Sequence, residues 1–158
     1  MISSIARQVE ANMVAAIEAL DLGVDEVVGF RQPVTAPAVK EEEAAARSVV
    51  AVVVSLPAPY IPTTGIIEMA VAVSLAVERG ALPQGGFDEL DQPLHALFLS
   101  WDADPSVADT ALGSEDFSLG GFLFDGTPQS LFDSSLNRWT TSWTFTVRGT
   151  LLTQNEEA

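Results

Sequence analysis

From Ile66 to Glu78 the side chains alternate without a break. Ile67, Met69, Val71, Val73, Leu75 and Val77 share one parity, and Glu68, Ala70, Ala72, Ser74, Ala76 and Glu78 share the other. A helix cannot sort residues this way because its period is 3.6, whereas successive side chains of a strand point to opposite faces. The segment therefore predicts a long strand with one apolar face. Arg138 to Leu151 repeats the pattern, setting Trp139, Thr141, Trp143, Phe145 and Val147 against Thr140, Ser142, Thr144, Thr146 and Arg148. Two such strands require a sheet with one face on a core and the other left to water or to a neighbouring subunit. Burying the large side chains from Ile67 to Val77 contributes a gross ~10–15 kcal/mol, comparable with the net stability of a whole domain. Ile67, Met69, Val71, Val73 and Leu75, together with Trp143 and Phe145, are accordingly expected to form structural core.

The remaining segments supply the cover. Ile2, Ile5, Val9, Met13, Ile17 and Leu20 recur at helical spacing, with Gly23 as a stop and Arg7, Gln8, Glu10, Asn12 and Glu18 on the remaining surface. A short strand is expected near Glu26 to Arg31. Ser48 to Leu56 is Val-rich and nearly free of polar residues, as a central strand buried on both sides is. Pro57, Pro59 and Pro62 end it. Phe87, Leu90, Leu94, Leu97, Phe98 and Trp101 give a second helix, with Pro93 inside its pattern. Asp102 to Glu115 reads as a polar connector of weak helical character. Phe117 to Phe124 reads as a strand interrupted by Gly120-Gly121, and Asp125-Gly126 as a turn. Thr127 to Asn137 is a loop or a ragged strand edge. The sum is one α+β domain over residues 1–152: a mostly antiparallel sheet of about four strands, packed on one face by the N-terminal helix and the second helix. A flexible acidic loop is expected at 32–47 and a frayed tail at 153–158.

Composition excludes several functions. With 22 acidic residues against 7 basic ones the formal charge is −15, which repels phosphate backbones and anionic lipid; tight nucleic-acid binding is not expected. There is no cysteine, hence no disulfide framework, thiolate metal site or thiol nucleophile. The first residues lack the basic and apolar regions of a signal peptide. The apolar runs Val49 to Ala58 and Ile66 to Val77 are too short to span a bilayer. A soluble protein of the cytoplasm is the expectation at synthesis, without a membrane partner.

Candidate chemistry is sparse, and neither a cofactor nor a metal is expected. His95, the only histidine, has no recognisable partner to orient it as a base, and reads as a packing or surface residue. Asp102, Asp104 and Asp109 are spaced like the start of a calcium loop, but Val107 stands at the position of the turn glycine and Gly113 at that of the bidentate glutamate. Gly120-Gly121 lacks the lysine and spacing of a phosphate loop. Ser134-Ser135 have no base near them in sequence. Trp139 and Trp143 read first as core and second as a ligand platform. Glu41, Glu42, Glu43 and Arg47 lie in the proline-bounded acidic segment, which is either a solvated loop or an arm that orders against a neighbouring subunit.

In order, the chain gives an amphipathic helix, a short strand, an acidic loop, two long strands, a helix, a loop-rich stretch and a closing aromatic strand. Over about Ile2 to Leu151, this resembles the tail terminator proteins of long-tailed phages, also called tail completion or tail-to-head joining proteins. The likeness rests on Ser48 to Leu56, Gly65 to Glu78, Phe87 to Trp101 and Arg138 to Thr150. It implies a homo-oligomeric ring, a hexamer in that family, that caps the tail tube and joins it to the head–tail connector protein. It also implies a place in the virion neck, reached from the host cytoplasm, and no catalysis. Gln32 to Arg47 would be the arm that orders on assembly. The alternatives are another ring-forming virion protein, such as a tail tube or head completion protein, or a non-catalytic ligand-binding module.

Overall fold

The two alternating segments pair with each other along their whole length. Strand β3 (Ile66–Glu78) lies antiparallel to β6 (Arg138–Leu151), from Ile66 opposite Thr150 to Glu78 opposite Arg138. This computed structural model describes residues 2–32, 47–56, 65–126 and 128–152. Strand β2 (Ser48–Ser55) adds antiparallel to the free side of β3, and β1 (Glu26–Gly29) adds parallel to β2. On the far side of β6 lie β4 (Phe117–Phe124) and then β5 (Gln129–Asp133), both antiparallel to it. Among the described residues the sheet has six strands in the order β1-β2-β3-β6-β4, with β5 also on β6.

One face carries the core. Ile67, Met69, Val71, Val73, Leu75 and Val77 are at most 3% exposed, and Trp143 and Phe145 at most 1%; the expected core residues are all buried. Three helices cover this face: α1 (Ile2–Glu18), α2 (Asp88–Ala103) and α3 (Pro105–Leu112). Ile5, Val9, Met13 and Ile17 of α1 and Leu90, Leu94, Phe98 and Trp101 of α2 join one continuous apolar cluster with the strands. Phe98 is its pivot, with its ring centroid 4.8 Å from Phe145 and 5.3 Å from Trp143, both edge-on.

Several expectations are corrected. The α+β class holds, but among the described residues the sheet has six strands rather than about four, and the α-helices number three. Residues 105–112, inside the expected connector, form α3 because Asp104 accepts from the Ser106 N–H at 3.1 Å as N-cap and Pro105 occupies the first turn. Of Thr127 to Asn137, read as a loop or a ragged strand edge, Gln129–Asp133 is the exposed strand β5. Strand β2 is not buried on both sides: Val50, Val52 and Val54 are buried, while Val49, Ala51 and Val53 are half-exposed on the opposite face. Helix α1 stops at Glu18 rather than at Gly23, and the chain reverses through Asp21 (φ 54°) and Gly23 (φ 82°). Glu10, expected on the helix surface, is fully buried. The acidic loop apart from Gln32 and Arg47, and the tail 153–158, lie outside the described residues.

The glycine pair behaves as a bulge. Register shifts between Leu119 and Gly121, and Gly149 sits opposite on β6. A Cβ on Gly149 would enter the Ser118 carbonyl oxygen and come within 2.5 Å of the Phe117 ring. Backbone and buried ring cannot both give way. Gly149→Ala is therefore expected to lower stability by about 1–3 kcal/mol, seen as a lower urea midpoint at unchanged m value.

Candidate functional site

The face of the sheet opposite the helices has no covering element among the described residues. Its rows follow from the register. Val49, Ala76, Thr140 and Leu131 form one; Ala51, Ser74, Ser142 and Gln129 the next; Val53, Ala72 and Thr144 a third; Ser55, Ala70, Thr146 and Leu123 a fourth. None of these side chains is charged. Charge appears around them, as Glu26 where the first row continues onto β1, as Glu68 and Arg148 at one end, 3.9 Å apart, and Glu78 and Arg138 at the other, and as Asp125 at the margin, bonded to the Thr146 hydroxyl at 2.9 Å. Small and hydroxylated side chains leave this surface low in relief and without a cation in its middle.

The two edges differ. At the β2 edge, where β1 ends, side chains replace the missing strand: Glu10 Oε2 accepts from the Val54 N–H at 3.3 Å and Arg31 Nε donates to the Val54 carbonyl at 2.6 Å. Glu10 Oε1 also accepts from the Arg31 N–H at 2.5 Å and from Gln32 Nε2 at 3.2 Å. Gly29 makes room for this carboxylate, since a Cβ there would lie 2.6 Å from Glu10 Oε1. At the opposite edge Asp109 accepts from the Leu119 N–H at 2.7 Å and shields the start of β4. Strand β5 has no such cover; all its residues are exposed, with Leu131 at 63%.

Residues singled out for chemistry are held in structural roles. Trp143 Nε1 donates to His95 Nδ1 at 3.2 Å. An indole only donates, so Nδ1 is the unprotonated nitrogen and the ring proton of neutral His95 sits on Nε2. Asp104 caps α3 and Asp109 braces β4, while no group of three or more potential metal ligands forms among the described residues. Trp139 stacks on Phe87, at 5.6 Å, and touches Phe132, at 5.2 Å, while Trp143 is buried; Trp143 presents no face to a ligand and Trp139 is half-buried. Ser135 is tied to Asp133 in the turn before β6. Glu41, Glu42 and Glu43 lie outside the described residues. Arg47 pairs with Glu26 at 2.8 Å and its N–H donates to Glu78 at 2.7 Å, so it clamps the starts of β1 and β2 to the end of β3.

Sequence periodicity alone missed Glu10. A wider apolar stripe gives the signal: Ala6 and Met13, one turn to either side, are both fully buried. The sequence matches no protein-family model, and no curated protein is detectably similar to it.

Two outcomes follow from this geometry. Glu10→Ala leaves the Val54 and Arg31 N–H groups without their acceptor and is expected to cost about 2–4 kcal/mol in denaturant unfolding. Asp91, on α2, is held above its ordinary value of 3.8, chiefly by burial and then by the Asp88 carboxylate, with His95 and Thr141 pulling the other way. The Thr141 hydroxyl is buried and makes no bond of good geometry, so its pull on Asp91 is weak. The native state thus holds this proton more tightly than the unfolded chain, and ionising Asp91 at neutral pH costs stability. Asp91→Asn should raise the Tm at pH 7, with the gain shrinking as the pH falls toward 3.8; a gain that grows on acidification would contradict this.

Proposed function

We propose that this chain is a non-catalytic, ring-forming subunit of a phage neck, a tail terminator that caps the tail tube and meets the head–tail connector. The observation that carries the reading is the uncharged, uncovered sheet face flanked by two unlike edges. An enzyme needs groups converging on a cleft. Here His95, Glu10, Asp104, Asp109, Trp139 and Trp143 are engaged in packing, capping and bracing, and the bare sheet is the feature that stands out. Unlike edges suit a heterologous contact that repeats from copy to copy and closes into a ring. In such a ring the bare face lines the opening. It offers no cation to hold passing DNA, and the charge of −15 keeps the wall from adhering to it.

The same charge sets the condition for assembly. Free copies repel over roughly a Debye length, about 10 Å at 0.1 M salt. Sedimentation across a salt series is expected to show monomers at low ionic strength and larger species as salt or a divalent ion screens the repulsion. A tight ring at low salt without any partner would contradict it. Electron microscopy of the protein mixed with tail tubes tests the role itself: a terminator caps one end, whereas a tube protein lengthens the tube and a head completion protein leaves it bare.

A further inference from the structure

Two surfaces at opposite edges of the sheet complement each other. The first is the turn between β5 and β6. Leu131 is 63% exposed and Leu136 51% exposed, an apolar tip on a hairpin whose outer strand is bare. Beside it stands Arg79, whose N–H donates to the Asn137 carbonyl at 2.9 Å; its exposed side chain forms no ion pair with any described residue. The second surface is a depression of about 210 Å³ where α1 hands over to β1. Leu22, Val24 and Val27 line its apolar part, and Glu18 and Asp21 stand on its rim, both exposed. One surface is an apolar knob beside a cation that pairs with no described residue; the other is a shallow, mostly polar hollow with an apolar part at Leu22, Val24 and Val27 and acids at its rim that pair with no described residue.

Their placement is as telling as their chemistry. Glu26, Val49, Ala76, Thr140 and Leu131 form a single row across the whole sheet. The hollow lies at one end of that row and the knob at the other. Joining them between copies needs no displacement along the strands, so successive copies stay level in a ring whose axis runs along the strand direction.

We propose that copies of this chain join head to tail, the β5–β6 tip of one seated in the α1–β1 hollow of the next. This rests on the ring reading above and assigns its contact. Arg79 meets the acidic rim, so the repulsion between copies is relieved where they touch, and Leu131 and Leu136 lie against the apolar part formed by Leu22, Val24 and Val27.

The test uses two surface variants of the full chain, each checked for native tryptophan fluorescence. Leu131→Asp with Leu136→Asp spoils the knob. Glu18→Arg with Asp21→Asn spoils the rim, and asparagine is among the residues most tolerant of the positive φ at position 21. The rim variant lowers the net charge from −15 to −12, two units from the first change and one from the second. General repulsion alone would make it assemble more readily than the parent. Sedimentation at high salt is expected to show a ring for the parent, monomers for each variant alone, and a one-to-one dimer for their mixture, because each variant retains the surface the other lacks. A parent ring with variants that assemble as the parent does, or a mixture that stays monomeric, overturns this contact while leaving the ring standing. A parent that stays monomeric at every salt concentration and with divalent ions overturns the ring reading and this contact with it.

Discussion

The ladder between β3 and β6 fixes the level of every other element. Both strands alternate so strictly that sliding one past the other by a single residue would turn Val71, Val73 and Leu75 toward water and Ala72 and Ser74 toward the helices. The apolar cluster therefore locks the register, and the register in turn dictates which side chains stand together on the far face. The bare rows are a by-product of the core: a strand that commits every second residue to the interior commits the others to whatever lies outside.

Against that fixed frame the electrostatics are uneven. Acids outnumber bases about threefold over the chain, yet the rows crossing β2, β3 and β6 hold neither sign. Two arginines are spent on closing the frame: Arg31 on the Val54 carbonyl, Arg47 on Glu26. Like-charged copies then approach each other only where local complementarity outweighs the general field, and this confines contact to few places on the surface.

What the sequence discloses is what periodicity can carry. The long strands, the buried parity of each, both main helices and the bulge at Gly120-Gly121 are legible because each repeats or breaks a pattern. Strand β5 is legible only as one of two readings, a loop or a ragged strand edge, since Gln129 to Asp133 is exposed throughout and is held by backbone pairing to β6 rather than by an apolar face. The one-sidedness of β2 is also hidden: valine at every position satisfies a buried and a half-buried strand equally. Helix α3 was readable from its ends, through Asp104 and Pro105, rather than from its stripe. Glu10 lies beyond periodicity because its burial depends on partners far along the chain, the backbone of Arg31 and Val54. The bare face was expected from the small and hydroxylated parity of β3 and β6; the difference between its two edges was not, because it is written in side chains that reach across from other elements.

That difference has a bearing on how such a chain avoids sticking to itself without limit. At Val54 a carboxylate and a guanidinium occupy both hydrogen-bonding valences that another peptide would otherwise use. A strand arriving from a misfolded neighbour finds nothing there to zip onto, so the β2 side is closed to templated fibril growth at that level. The protection is local: it covers the end of β2 that β1 leaves unpaired.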